Sequence, residues 1–217
     1  MAEAKLRVDI VSDVVCPWCI IGYKQMEEAL GRTGTEIDLH WHPFELNPNM
    51  PLEGQNIREH VAEKYGATAE QSAKTRAQMK ALGESLGFTF SYNDDSRIVN
   101  TFQAHQLLHW ANEQGRAHDL KMALFGRYFT DGGDVSNADI LLEAVGDVGL
   151  DVAEAKAVLD DGRYAAAVRE REEFWVTNGI SGVPAMVFNQ RHLVTGAQGA
   201  DNYASILEQL KKMIAEA

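Results

Sequence analysis

Cysteine is scarce: the 217-residue chain has two, Cys16 and Cys19. That excludes the multi-bridge framework that staples small secreted domains. It also leaves a structural zinc site short of ligands, because His40 and His42 share a strand face but no second Cys-x-x-Cys accompanies them. Positive charge is short as well, with 20 Lys and Arg against 32 Asp and Glu and a net charge of −12. Such a surface repels phosphate backbones and anionic membranes, so neither nucleic acid nor membrane is expected as a partner. No stretch approaches the ~18 uncharged apolar residues of a membrane span. The start, Met1-Ala2-Glu3-Ala4-Lys5-Leu6-Arg7, lacks the basic-then-apolar order of a signal peptide. Repeats and low-complexity tracts are missing too, which argues against solenoids and disorder. A cytoplasmic globular protein is the expectation. There thiols stay reduced, and two cysteines three apart point to catalysis or metal binding rather than to a structural bond.

What is present is enough apolar material, 45% of the residues, to bury a core without staples. Leu6 to Val11 alternates and is β-branched, which predicts a half-buried strand. From Pro17 the apolar spacing turns helical through Ile20, Tyr23 and Leu30, with Gly31 and Gly34 as the stop. Pro17 suits a first helical position, placing Cys16 at the N-cap. A second strand is expected over Thr35 to Phe44, with His40 and His42 solvated. Seven helices follow without a strand: Ile57 to Tyr65, Ala69 to Leu86, Ile98 to Glu113, Ala117 to Phe129, Ala138 to Val148, Val152 to Asp160 and Tyr164 to Asn178, with Asp134 and Ser136 as caps. A hairpin of Ala185 to Asn189 with Leu193 to Thr195 precedes a last helix, Asn202 to Ala215, whose inner side carries Tyr203, Ile206, Leu207, Leu210, Met213 and Ile214. The class is α/β: a thioredoxin fold with a large all-helical insertion, the insertion spanning 56–178 and the thioredoxin-like domain 1–55 and 179–217.

The chemistry rests on Cys16-Pro17-Trp18-Cys19. A thiolate is the nucleophile in disulfide exchange, and a helix N-terminus favours negative charge on a sulfur at its cap. Cys19, one turn on, shares that side of the helix and can attack a mixed disulfide formed on Cys16. Three plainer readings compete: a structural disulfide, a zinc site, and two buried spectator thiols. A short disulfide ring restrains the unfolded chain by only about 2 kcal/mol. Asp13 reads as a turn or cap residue, Trp18 as an exposed lip, and Trp41, Trp110 and Trp175 as core.

The segments Ser12 to Cys19, Trp41 to Pro48, Asn100-Thr101 with Ala104-His105, Gly179 to Pro184 and Gly196-Ala197-Gln198 resemble the DsbA-like oxidoreductases, and within them the FrnE-like branch. The resemblance covers nearly the whole chain. It implies a thioredoxin fold interrupted by a helical domain, a cis Pro184 beside the cysteines, and a Val183 backbone offered to an extended substrate. Catalytic Cys16 and Cys19, with Pro17, Trp18, Phe44, Asn100, His105, Val183 and Pro184 toward the substrate, are the site it suggests. No metal and no cofactor beyond the dithiol is expected. Disulfide- or thiol-bearing proteins or small thiols are the partners, with glutathione admitted as a co-substrate and a homodimer as an assembly. Related kappa-class glutathione transferases and 2-hydroxychromene-2-carboxylate isomerases typically hold a serine where Cys16 stands, so both cysteines favour dithiol exchange. A glutathione-dependent transferase or isomerase, and a chaperone-like or redox-sensing binder, remain as alternatives.

Overall fold

In the computed structural model the described residues are 5–91, 93 and 95–215, with the side chains of 214 and 215 left aside. Met1 to Ala4, and the expected inward Ile214 side chain, lie outside that description. Strand β1 (Leu6–Ser12) runs into helix α1 (Pro17–Thr33), which returns the chain to β2 (Ile37–Pro43), parallel to β1 from Leu6 opposite Ile37 to Ser12 opposite Pro43. Late in the chain β5 (Ala185–Phe188) pairs antiparallel with β1, and β6 (His192–Thr195) with β5. The sheet order is thus β2-β1-β5-β6. Helix α9 (Ala200–Ala215) packs along α1, burying Tyr203, Leu207 and Leu210. Met213, expected on that inner side, is instead 53% exposed, because the last turn of α9 runs past the body it covers.

Between β2 and β5 lie α2 (Ile57–Tyr65), α3 (Ala69–Ser85), α4 (Phe102–Glu113), α5 (Ala117–Phe125), α6 (Ala138–Asp147), α7 (Val152–Asp161) and α8 (Ala165–Thr177). Their starts obey local chemistry. Thr68 and Gln71 form a reciprocal capping box on α3, and the Asp151 carboxylate accepts from the N–H groups of Ala153 and Glu154 on α7. The cap of α6 is Asn137, not Asp134 or Ser136: Asp134 accepts from the Ser136 N–H and hydroxyl in the preceding turn. Ile98 is not helical. It pairs with Gln55 in a two-residue antiparallel ladder, β3 (Gln55–Asn56) with β4 (Arg97–Ile98), too short to carry any alternation in sequence. The helix expected through Phe129 widens into a π-turn at Gly126–Thr130.

The two parts share one core. Leu6, Val8 and Ile10 of β1 belong to a buried cluster that continues through Leu107, Leu120 and Leu124 to Val145 and Val158. The other face of β1 is covered as well, since Val11 packs with Trp175 of α8, Ile180 and Ala185. So β1 is buried on both sides rather than half-buried, as a central strand between two layers must be. Burial catches polar groups too. His42, expected in solvent, donates Nε2 to Asp9 Oδ1 at 2.7 Å, and Arg7 grips the same carboxylate through Nε and Nη2.

Candidate active site

Strand β1 ends at Ser12, the chain turns through Asp13, whose carbonyl accepts from the Cys16 N–H at 3.3 Å, and α1 begins at Pro17 with Cys16 as its N-cap. Proline at this position sets φ for the first turn and lacks a donor that would go unused. Cys16 therefore stands where the unpaired N–H groups of α1 favour an anion. Both thiols are free and buried. Burial, reinforced by a hydrogen bond to the Cys16 sulfur, pushes the Cys19 thiol well above its ordinary range.

The Val183-Pro184 bond is cis, and the Cys16 thiol lies 3.6 Å from the Val183 carbonyl oxygen. Gly22 lets α1 rest on this turn: a Cβ there would sit 3.2 Å from Pro184 Cγ and 3.5 Å from the Ala197 backbone. Beside the pair opens a mostly apolar groove of about 390 Å³. One wall is Cys16, Pro17, Trp18 and Val183, and the facing wall comes from α2 and α3 with Leu46 and Ile98. Trp18, 41% exposed, and Tyr65, 64% exposed, form its lips.

Not every expected residue reaches that groove. Asn100 accepts from the Phe102 N–H at 2.9 Å and donates to the Met50 carbonyl at 3.2 Å, so it holds the start of α4 against the loop after β2. Phe44 turns its side chain toward Val11 and Trp175. Its carbonyl accepts from His105 Nε2 at 3.1 Å, and the same nitrogen lies 3.4 Å from Asp13 Oδ1. Asp13 is neither a helix cap nor a surface turn residue: its Oδ2 accepts from the Leu46 N–H at 2.8 Å. Burial opposes its charge, but His105, the Leu46 N–H and Lys121 outweigh burial and keep it below the usual carboxylate range.

Lys121 of α5 is the feature with no sequence signal. It reads as one more polar position on an amphipathic helix, yet it is 1% exposed behind the cysteines. Its ammonium donates to the Ser12 carbonyl at 3.4 Å and lies 5.5 Å from the Trp41 ring centre and 5.1 Å from that of Phe125. Burial lowers its pKa to about 8, opposed by the sulfurs of Cys19 and Cys16 and by Asp13. Ser12 Oγ and Asp13 Oδ1 have no hydrogen-bond partner among the described residues, so a buried and incompletely satisfied polar cluster backs the dithiol.

A model of the DsbA-like thioredoxin domain matches residues 7–208. The chain belongs to the DsbA-like thioredoxin family. This DsbA-like chain is 33% identical to a probable DsbA oxidoreductase from Streptomyces coelicolor, covering 94% of this chain and 89% of that one with a TM-score of 0.87. It is 26% identical over 210 residues to the Bacillus subtilis protein YwbO, described as uncharacterized, covering 95% and 99% of the two chains. The fold is also that of the cytosolic disulfide reductase DsbM from Pseudomonas aeruginosa, solved with GSH, at 16% identity over 95% of this chain and all of that one, TM-score 0.63. A DsbA-like redox enzyme acting on thiols or disulfides is the function this membership carries. Among the described residues, no helix is long and apolar enough to cross a membrane.

Proposed function

We propose that this DsbA-like protein is a dithiol oxidoreductase in which Cys16 attacks and Cys19 resolves, with protein or small-molecule disulfides as substrates. The observation that carries it is the placement of Cys16 at the N-cap of α1, 3.6 Å from the Val183 carbonyl and on the wall of the apolar groove. In the reductive direction the Cys16 thiolate attacks one sulfur of the substrate disulfide, and the other sulfur leaves as a thiolate that takes a proton from solvent. Cys19 then loses its proton and attacks the Cys16 sulfur. The substrate thiol departs and a Cys16-Cys19 disulfide closes, so the protein loses the two electrons that the substrate gains. An extended substrate segment can take over the Val183 acceptor that Cys16 now uses, while its apolar side chains enter the groove between Trp18 and Tyr65. We place this activity in the cytoplasm, where a dithiol is regenerated by small thiols. The same groove would take glutathione as that regenerating thiol, a reading supported by the fold shared with DsbM.

Insulin reduction followed by a non-reducing gel tests the division of labour. Cys16→Ser abolishes turnover, and Cys19→Ser accumulates reductant-sensitive adducts on Cys16. A Cys19→Ser protein that stays fully active without adducts removes the resolving role. Turnover that survives Cys16→Ser only with glutathione and an electrophile would assign the site to transferase or isomerase chemistry instead.

A further inference from the structure

Around the free edge of β2 the insertion closes a second cavity, of about 180 Å³, which shares no lining residue with the groove beside Cys16. Every titratable residue lining it is basic: Arg7, Lys121, Arg171 and four of the seven histidines in the chain. With the histidines neutral, the lining brings three cations together in a molecule of net charge −12.

The carboxylates that accompany these cations sit outside the lining. Asp9 accepts from Arg7 Nε and Nη2 and from His42 Nε2, which fixes both side chains and leaves Arg7 Nη1 with no partner among the described residues. Arg171, on α8, makes no ion pair among the described residues, and its guanidinium lies 6.0 Å from the Phe174 ring centre. Lys121 has three donors, is 1% exposed, and among the described residues makes a single 3.4 Å hydrogen bond. Donors thus come from β1, β2, α4, α5 and α8, with the carboxylates of Asp9, Asp13 and Asp38 behind the lining rather than on it. The Arg171 guanidinium fork and the remaining Nη1 of Arg7 match the oxygens of a tetrahedral anion, and the volume admits one with several waters.

We propose that this cavity binds a phosphate group, either as inorganic phosphate or as the end of a small phosphomonoester. Two of its imidazoles feel both burial and the neighbouring cations. Burial and the charges of Arg171 and His40 hold His42 below its ordinary value against the pull of Asp9. Burial and Arg171 do the same to His109 against Glu113, while the Tyr164 ring packs on it. A bound dianion reverses the balance at both. Binding therefore draws protons onto His42 and His109, which join the cations that face it.

Histidine NMR titrations with inorganic phosphate, against potassium chloride at matched ionic strength, test this without passing through the dithiol. The expected result is saturable shifts with raised pKa values at His42 and His109, and an affinity at least tenfold weaker in Arg171→Ala. Arg171→Lys, which keeps the charge at this exposed position, recovers part of the loss. Glycerol phosphate competing at the same histidines identifies a terminal phosphate as the ligand, and failure to compete identifies free phosphate. Shifts no larger than those given by chloride, or shifts indifferent to Arg171→Ala, overturn the site. Either result leaves the insulin assay above unaffected.

Discussion

Replacing Lys121 with methionine removes the buried ammonium and keeps a chain of similar length in its place. In the unfolded chain this lysine titrates near 10.5 and in the folded protein near 8. At 1.36 kcal/mol per unit of pKa, that interval corresponds to about 3 kcal/mol. Below pH 8 both states hold the proton and the folded state bears the full cost of the buried charge. Between 8 and 10.5 the folded state has released its proton while the unfolded state still binds one, so stability rises with pH. Above 10.5 the cost is gone. Cys19, whose thiol is pushed upward by burial, contributes with the opposite sign over an overlapping range and is present in both proteins. Urea unfolding under reducing conditions at pH 7, 8, 9 and 10 should show the wild type gaining on Lys121→Met by about 2.5 kcal/mol over the series, most of it above pH 8. Parallel pH profiles for the two proteins would refute the burial of a titrating lysine behind the dithiol. A wild type that loses ground to the variant as pH rises would refute the sign.

Two further expectations follow from packing and charge. Gly83→Ala should cost about 1–3 kcal/mol in urea unfolding, because the added Cβ would meet the Phe90 ring at 2.5 Å and the Phe88 carbonyl at 2.7 Å, whereas Gly31→Ala, with open space around it, should gain about 0.5–1 kcal/mol from helix propensity. Asp9, held far below the carboxylate range by His42 and Arg7 despite burial, contributes stability that is present above its unfolded pKa near 4 and lost as pH falls through and below it, so Asp9→Asn should flatten the acid limb of the stability profile measured from pH 6 to 2.

What could be read directly from the residues was whatever short stretches decide by themselves. Pro17 at a first helical position, the apolar period of α1 and the hairpin at the end all survive in the structure with boundaries shifted by a residue or two. The dithiol was legible for the same reason, since Cys16 and Cys19 are placed by one local turn. The rest depends on which surface the insertion covers. Arg7 and Asp9 on β1 mark a polar face in sequence, but α8 closes over it and makes the strand central. His42 and Lys121 look like solvent-facing positions until the same helices bury them. Asn100 and His105 share a helix start with the family pattern, yet one donates to the Met50 carbonyl and the other ties Phe44 to Asp13, roles set by partners 50 or more residues away.

The hydrogen bond from Cys16 to Val183 spans 167 residues of chain. At roughly 5–20 residues per second of synthesis, the dithiol leaves the ribosome about 8–33 seconds before the segment that covers it does. During that interval Cys16 and Cys19 have neither the Val183 carbonyl nor the far wall of the groove around them, and central strand β1 lacks its β5 neighbour. The nascent protein therefore carries both thiols uncovered until the turn before β5 has been made.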